Sequence, residues 1–158
     1  MKLSNLSLKQ PLLPVPNSIV IIALVVALVG FADATYLTIE HFRNVIPPCT
    51  TSGCEEVLTS GYSVVAGVPV SLGGAIYYLL VMVGLFAYLD AKNLKLLKAV
   101  FLFTVVGLLA SLWFIYVQAF ILGAYCQYCL VSAGTSTLLF LIGAFVLAKY
   151  SDNQAGIQ

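Results

Sequence analysis

Long apolar segments alternate with short polar ones along the chain. The apolar segments span about residues 17–42, 69–89, 94–122 and 126–149. A helix needs about 20 apolar residues to cross a bilayer, because each residue rises about 1.5 Å and the hydrocarbon core is about 30 Å thick. The pattern therefore predicts an all-α membrane protein, a four-transmembrane-helix bundle that forms a single integral membrane domain.

The polar segments between the predicted helices differ in length. Residues 90–93 and 123–125 form tight turns, whereas residues 43–68 form the only long loop. Inside this loop the sequence SGCE, at 52–55, has the Ser and Glu spacing of a capping box. It predicts a short helix in the outer loop that runs from about Cys54 through about Thr59.

The distribution of basic residues predicts the orientation of the bundle. Arg43 falls on the side of the long loop, and the other six of the seven basic residues fall on the side of the two chain ends. Because Lys and Arg concentrate on the cytoplasmic side, both termini are predicted to be cytoplasmic and the long loop extracytoplasmic. The first 16 residues lack the apolar region and cleavage site of a signal peptide, so we expect a short retained tail.

Composition agrees with a membrane protein and argues against one class of function. The chain is 61% hydrophobic and only 8% charged, whereas about a quarter of the residues of a soluble domain are charged. The net charge is +1 and no basic patch is visible. Nucleic-acid binding therefore has no electrostatic basis here.

The four cysteines are predicted to gather at the outer face of the membrane. Cys49 and Cys54 lie in the long loop, and Cys126 and Cys129 open the last helix. The latter two are three residues apart in a first helical turn, where they share a face and where unpaired N–H groups favour a thiolate. The extracytoplasmic side is also the oxidising one, where disulfides persist.

Three interpretations of these thiols remain open from their spacing. They could form two structural disulfides, bind zinc, or relay electrons between two dithiol pairs. Structural zinc sites usually lie in polar knuckles rather than at a lipid boundary, so no metal site is predicted. An exposed pair beside a pair at membrane depth favours the relay, because thiol–disulfide exchange passes through mixed disulfides between neighbouring thiols.

Three stretches of the sequence together resemble the vitamin K epoxide reductase family, in its bacterial single-domain form. They are "CEEVLTSGYSVVAGVPVSLGGAIYYL" from Cys54, "CQYC" at 126–129, and "GFADATYLTIEH" at 30–41. The resemblance covers most of the chain. It implies a four-helix bundle around a quinone, ubiquinone or menaquinone, that accepts electrons.

The resemblance also implies roles for individual residues. Cys126 and Cys129 match the active-site pair, with Cys129 nearer the quinone ring. Cys49 and Cys54 match the loop pair that shuttles electrons, and Cys54 would pair with Cys126 in an intermediate. Ser60 matches a serine that helps to hold the loop near the active site. We therefore expect a thiol oxidase of the cytoplasmic membrane that oxidises a thioredoxin-like partner and so supports disulfide formation in exported proteins.

Two departures from the family pattern shape this expectation. The animal enzymes have an asparagine and a tyrosine, thought of as hydrogen-bonding the quinone oxygens, where this chain has Val70 and Ala133. These differences favour a disulfide-forming oxidase over an enzyme that recycles vitamin K. The thioredoxin-like domain fused to many bacterial members is also missing from this sequence, so a separate partner is expected.

Five residues are predicted to contact the quinone: Cys129, Asp33, Tyr36, Tyr78 and Trp113. A carboxylate at membrane depth is costly, so Asp33 is a functional hypothesis. It would relay protons or hydrogen-bond the ring, unless it is a hydrogen-bonded side chain near a watery mouth. Aromatic residues in membrane helices are more often packing or interface residues, but one or two are expected to face the quinone.

Three other functions remain as alternatives. One is a quinone or vitamin K epoxide reductase in a lumenal setting. Another is a non-catalytic four-helix membrane protein whose loop is held by structural disulfides. The last is an unrelated four-helix quinone-linked oxidase, although the loop sequence fits the vitamin K epoxide reductase family better.

Overall fold

The structure is a computed structural model that describes residues 15–50 and 53–151. Nearly all of the predicted N-terminal tail lies outside the described residues. Ser52, the expected capping residue of the loop helix, also lies outside them. The residue at the N-cap position of this helix is Gly53, which has no side chain that could make a capping hydrogen bond.

Helices dominate the fold, and the prediction of an all-α four-helix membrane bundle is confirmed. The described residues contain four helices that are long and apolar enough to cross a membrane, and a short helix lies in the outer loop. In chain order they are α1 (Asn17–Arg43), α2 (Cys54–Thr59), α3 (Val70–Ala91), α4 (Leu94–Tyr116) and α5 (Gln127–Ser151).

The bundle is held by close approaches at small residues. Helix α1 packs against α3 and α5, and α4 packs against α3 and α5. A Cβ at Gly30 would overlap the ring of Tyr78, and one at Gly143 would come within 2.8 Å of Phe101. Since lipid tails are as apolar as leucine, helix association in membranes depends on such tight packing. The outward faces carry large exposed apolar side chains, such as Phe86 and Leu109.

One end of the bundle carries the basic residues and the start of α1. The turn after α3 closes with Lys92 in the left-handed conformation, and Asn93 caps α4 by accepting a hydrogen bond from the Lys95 N–H at 3.0 Å. The Lys92 ammonium donates a hydrogen bond to the Asn17 side chain at 2.8 Å. The long loop and Arg43 are therefore at the opposite end, because α1 and α3 each span the bundle.

The outer loop contains a small hairpin that the sequence analysis did not predict. Strand β1 (Val64–Val65) pairs antiparallel with β2 (Val68–Pro69). The two residues between them, Ala66 and Gly67, have φ angles of 52° and 81°. Positive φ at both central positions is the signature of a tight hairpin turn. The hairpin leads directly into α3, so it fixes where the loop returns to the bundle.

Candidate functional site

Cys126 and Cys129 lie at the start of α5, next to the long loop. The Cys126 carbonyl accepts a hydrogen bond from the Leu130 N–H at 3.0 Å, so Cys126 takes the N-cap position immediately before α5. Both cysteines are free thiols in this structure; Cys126 is fully buried and Cys129 is half-buried.

The environment of Cys126 stabilises its thiolate. A hydrogen bond from the Cys129 thiol, helped by the backbone N–H groups of Cys129 and Tyr128, lowers the pKa of Cys126 to about 7 although burial opposes the shift. This is the behaviour of a cysteine in a helical first turn, where the N–H groups have no partner within the helix. Cys126 is accordingly the thiol of the inner pair that loses its proton more readily.

Gln118 holds this turn in place from the neighbouring helix. Helix α4 continues into a π-helical segment, Val117–Leu122, instead of ending as a regular α-helix. The Gln118 side-chain oxygen accepts a hydrogen bond from the Cys126 N–H at 2.9 Å, and its carbonyl accepts one from the Ala124 N–H at 3.2 Å. The sequence analysis missed Gln118. The signal that could have found it is an amide side chain in an otherwise apolar segment.

The loop cysteines form a disulfide that is docked on the same turn. Cys49 is bonded to Cys54. Cys54 is fully buried in a group of residues that we call the cysteine cluster, which consists of Cys54, Val57, Ala124 and Cys126. Cys49 and Cys129 pack against this cluster from its sides. The structure thus brings all four cysteines together, with Cys54 inside and Cys49 partly exposed.

Gly53 allows the loop to pack closely against the turn before Cys126. A Cβ at this position would lie 2.6 Å from the backbone nitrogen of Tyr125 and 2.9 Å from its carbonyl oxygen. Real side chains do not approach backbone atoms so closely. The backbone of the loop therefore rests directly on the turn that precedes Cys126, and only glycine leaves the space for it.

Ser60 stabilises the fold of the loop itself. Its hydroxyl donates a hydrogen bond to the Val57 carbonyl at 2.7 Å, at the end of α2. Its carbonyl accepts hydrogen bonds from the Ser63 N–H at 3.0 Å and the Ser63 hydroxyl at 2.8 Å. Ser60 also lines the cavity described next. These hydrogen bonds connect α2 to the hairpin.

A cavity of about 860 Å³ opens beside the inner cysteine pair. The membrane helices and the outer loop line it, mostly with apolar groups. Three of the five residues predicted to contact a quinone are among its walls, namely Cys129, Asp33 and Tyr78. Val70 and Ala133, the two departures from the animal enzymes, also face it.

The polar groups of this cavity differ in how they are paired. The Tyr78 hydroxyl donates to the Ser132 carbonyl at 2.7 Å and lies 2.7 Å from the Thr135 hydroxyl. One buried carboxylate oxygen of Asp33, Oδ2, has no hydrogen-bond partner within the described part of the chain. Buried polar atoms are normally paired, so an unpaired oxygen on the wall of a cavity indicates a missing partner there.

Tyr36 and Trp113 do not line the cavity. The Tyr36 ring packs against the Tyr128 ring, with 5.6 Å between the ring centroids. Trp113 is 54% exposed on the outer surface of the bundle and stacks on Tyr116. Its neighbour Phe114 faces the cavity instead, because one residue along a helix turns the side chain by about 100°.

The described residues contain no group of three or more His, Cys, Asp or Glu side chains arranged to hold a metal ion.

A family described as "Vitamin K epoxide reductase family" matches residues 21–144, which include the loop, the cavity and all four cysteines. No curated protein matches the chain.

Proposed function

Because the chain belongs to the vitamin K epoxide reductase family, we propose that this membrane redox enzyme is a quinone-dependent thiol oxidase. It takes electrons from a reduced thioredoxin-like partner and supports disulfide formation in exported proteins. The observation that carries the proposal is the docking of the Cys49–Cys54 disulfide on Cys126, beside a cavity that Cys129 lines. The outer cysteine pair, the inner cysteine pair and the cavity for the electron acceptor lie next to one another in this order.

The outer pair receives the electrons. A thiolate of the partner attacks Cys49, which is the partly exposed sulfur of the loop disulfide. The bond between Cys49 and Cys54 breaks, Cys54 leaves as a thiolate, and the partner's second thiol then releases Cys49. The partner is oxidised to a disulfide and the loop pair is reduced to two thiols.

The inner pair passes the electrons into the membrane. With the inner pair oxidised, the Cys54 thiolate attacks Cys126, its buried neighbour in the cysteine cluster. The Cys126–Cys129 bond breaks and Cys129 leaves as a thiolate at the cavity wall. Cys49 then attacks Cys54 and releases Cys126, which restores the loop disulfide. This yields the state seen here, with the loop pair oxidised and the inner pair as thiols.

A quinone fits the cavity in size and chemistry. Ligand pockets of about 300–1,000 Å³ with apolar walls and a few polar groups are typical for small molecules, and this cavity has about 860 Å³. A bound quinone would accept two electrons and two protons from the inner pair. Cys129 would face its ring, and Asp33 and Tyr78 lie on the same walls.

Asp33 is proposed to handle the protons. Its unpaired oxygen lies in the interior of the bundle, where a permanent unpartnered charge is costly. A carboxyl group at this position holds a proton and can release it toward the cavity. Tyr78 is engaged with Ser132 and Thr135, so it is expected to shape the cavity more than to move protons.

The bundle is proposed to lie in the cytoplasmic membrane with both termini inside. The basic residues at the end opposite to the loop support this orientation, since Lys and Arg favour the cytoplasmic side. The loop disulfide would then face the oxidising side of the membrane, where disulfides persist. On that side the thioredoxin-like partner would form disulfides in exported proteins.

The test is quinone reduction by the purified protein in detergent. Reduced thioredoxin-like protein is the electron donor and a soluble ubiquinone or menaquinone analogue is the acceptor. We expect rapid reduction by the wild type and by Thr104→Val, which removes a buried hydroxyl that donates a hydrogen bond to the Phe101 carbonyl of the same helix. Cys129→Ala should be inactive. Reduction by Cys129→Ala at the wild-type rate would overturn the proposal.

A further inference from the structure

The two residues between the inner cysteines, Gln127 and Tyr128, both reach the loop. The Thr50 backbone N–H donates a hydrogen bond to the Gln127 side-chain oxygen at 3.2 Å, and the Thr50 hydroxyl donates to the same oxygen. The Tyr128 hydroxyl donates to the Pro48 carbonyl at 2.8 Å. These two side chains therefore hold the residues on either side of Cys49.

The Tyr128 side chain is itself supported from another helix. The ring of Tyr36, on α1, packs against it with centroids 5.6 Å apart and an angle of 49° between the rings. Such tilted aromatic pairs add to the stability gained from burial. The hydroxyl of Tyr128 is thus presented to the loop by a ring that is fixed between α1 and α5.

We propose that Gln127 and Tyr128 form a clamp that positions the loop disulfide for exchange with the inner pair. By holding the chain at Pro48 and Thr50, the clamp fixes the Cys49 end of the disulfide near the surface. The other end, Cys54, is then directed into the cysteine cluster beside Cys126. The Cys-x-x-Cys segment would supply the inner pair of reacting thiols, and its two middle residues would hold the loop disulfide with which these thiols exchange.

The clamp has a defined effect on the exchange. When Cys54 attacks Cys126, a Cys54–Cys126 disulfide forms and Cys129 and Cys49 are thiols or thiolates. Cys49 then attacks Cys54, the Cys54–Cys126 bond breaks, and two electrons remain on the inner pair. Both steps need the loop in place, because each sulfur must approach its target in line. A clamp on the neighbours of Cys49 favours both.

This inference rests on the proposed function, but it can be tested without turnover. In a Cys49→Ala/Cys129→Ala background only Cys54 and Cys126 remain as cysteines. Their disulfide is equilibrated with reduced and oxidised glutathione, and the equilibrium constant gives the effective concentration of one thiol at the other. This concentration reports directly how well the loop is held over Cys126.

Four substitutions in that background define the clamp. We expect Tyr128→Phe, which keeps the ring against Tyr36, and Gln127→Met, which keeps the side-chain size, each to lower the effective concentration roughly two- to tenfold, as for the loss of a hydrogen bond. Gln127→Glu keeps an acceptor for Thr50 and should stay near the starting value. Tyr116→Phe, on the exposed surface of α4, is the matched control and should change nothing.

A second measurement uses the four-cysteine protein. With the reduced thioredoxin-like donor, Tyr128→Phe and Gln127→Met should lower kcat while the KM for the quinone analogue stays the same. In the two-cysteine background, the clamp would be overturned if Tyr128→Phe and Gln127→Met both kept the starting effective concentration. It would also be overturned if Gln127→Glu lowered it. A protein that shows the clamp effect but reduces no quinone would overturn the proposed function and leave the clamp intact.

Discussion

Replacing Gly53 by alanine should lift the loop off the inner cysteines without straining the chain. The φ angle of Gly53 is −99° and ψ is −2°, values that alanine can adopt. The new Cβ, however, would lie 2.6 Å from the Tyr125 nitrogen and 2.9 Å from the Tyr125 oxygen. The loop must then retreat by roughly 0.5–1 Å, and overpacking of this kind costs about 1–3 kcal/mol.

This cost converts into a measurable exposure of Cys126. At about 1.4 kcal/mol for each factor of ten, the undocked population should rise about 5- to 150-fold. Cys126 is fully buried when the loop is docked. The rate of its alkylation by a maleimide should therefore rise by the same factor, as followed by peptide mass spectrometry that separates Cys126 from Cys129.

Gly61→Ala is the matched control for Gly53→Ala. It lies in the same loop and no atom would lie within 4 Å of its new Cβ. It therefore shows the general effect of replacing glycine by alanine. This effect is a small stabilisation, because alanine lowers the conformational entropy of the unfolded chain. If the two variants alkylate Cys126 at the same rate, the close approach of Gly53 to Tyr125 does not hold the loop.

Three further predictions concern the inner pair and its surroundings. Asp33→Asn should slow quinone reduction by about a hundredfold or more and alter its pH profile, since a proton-transferring group typically contributes that much; an unchanged profile removes Asp33 from the mechanism. The Cys126 pKa is lowered to about 7, so its ultraviolet thiolate absorbance, taken as the difference from Cys126→Ser, should appear as pH rises through about 7 and not near the 8.5 of a free cysteine; a midpoint near 8.5 would contradict the stabilising hydrogen bonds. Gln118→Met leaves the buried Cys126 N–H unpaired and should lower the free energy of unfolding by about 1–3 kcal/mol in a denaturant titration, whereas Gln118→Glu keeps the acceptor; equal losses in both would show that this hydrogen bond is unimportant.

The four-helix bundle can be predicted from the sequence, because the length and the apolar composition of a segment decide whether it forms a membrane helix. Each apolar segment is longer than the bilayer requires, and two of the three connections between the segments are short. The position of the cysteine pairs follows from these boundaries, since Cys49 and Cys54 fall in the loop and Cys126 at the start of α5. These features are local, and a single sequence is enough to predict them.

The orientation of side chains around each helix is harder to predict. A membrane helix is apolar on every side, so the pattern does not indicate which face meets the cavity. Phe114 faces it and Trp113 faces outward, although both are large aromatic residues. Tyr36 packs on Tyr128 for the same reason: the choice depends on the neighbouring helix and not on its own segment.

The clamp depends on residues distant in the chain. Thr50 and Gln127 are 77 residues apart, and Pro48 and Tyr128 are 80 apart. No local pattern links them. The hairpin is different, because the valines on both sides of Ala66 and Gly67 in "VVAGV" are a short-range signal of two strands joined by a two-residue turn.

The π-helical segment makes the chain sensitive to a change of length at one place. A π-helix holds an extra residue compared with an α-helix of the same pitch, so deleting one residue within Val117–Leu122 would leave an ordinary helix there. Gln118 lies in this segment, and its side chain reaches the N–H of Cys126, eight residues later in the chain. A deletion between the two would shorten that spacing by one residue. We therefore expect a single-codon deletion to break this hydrogen bond while leaving the hydropathy of the helix nearly unchanged.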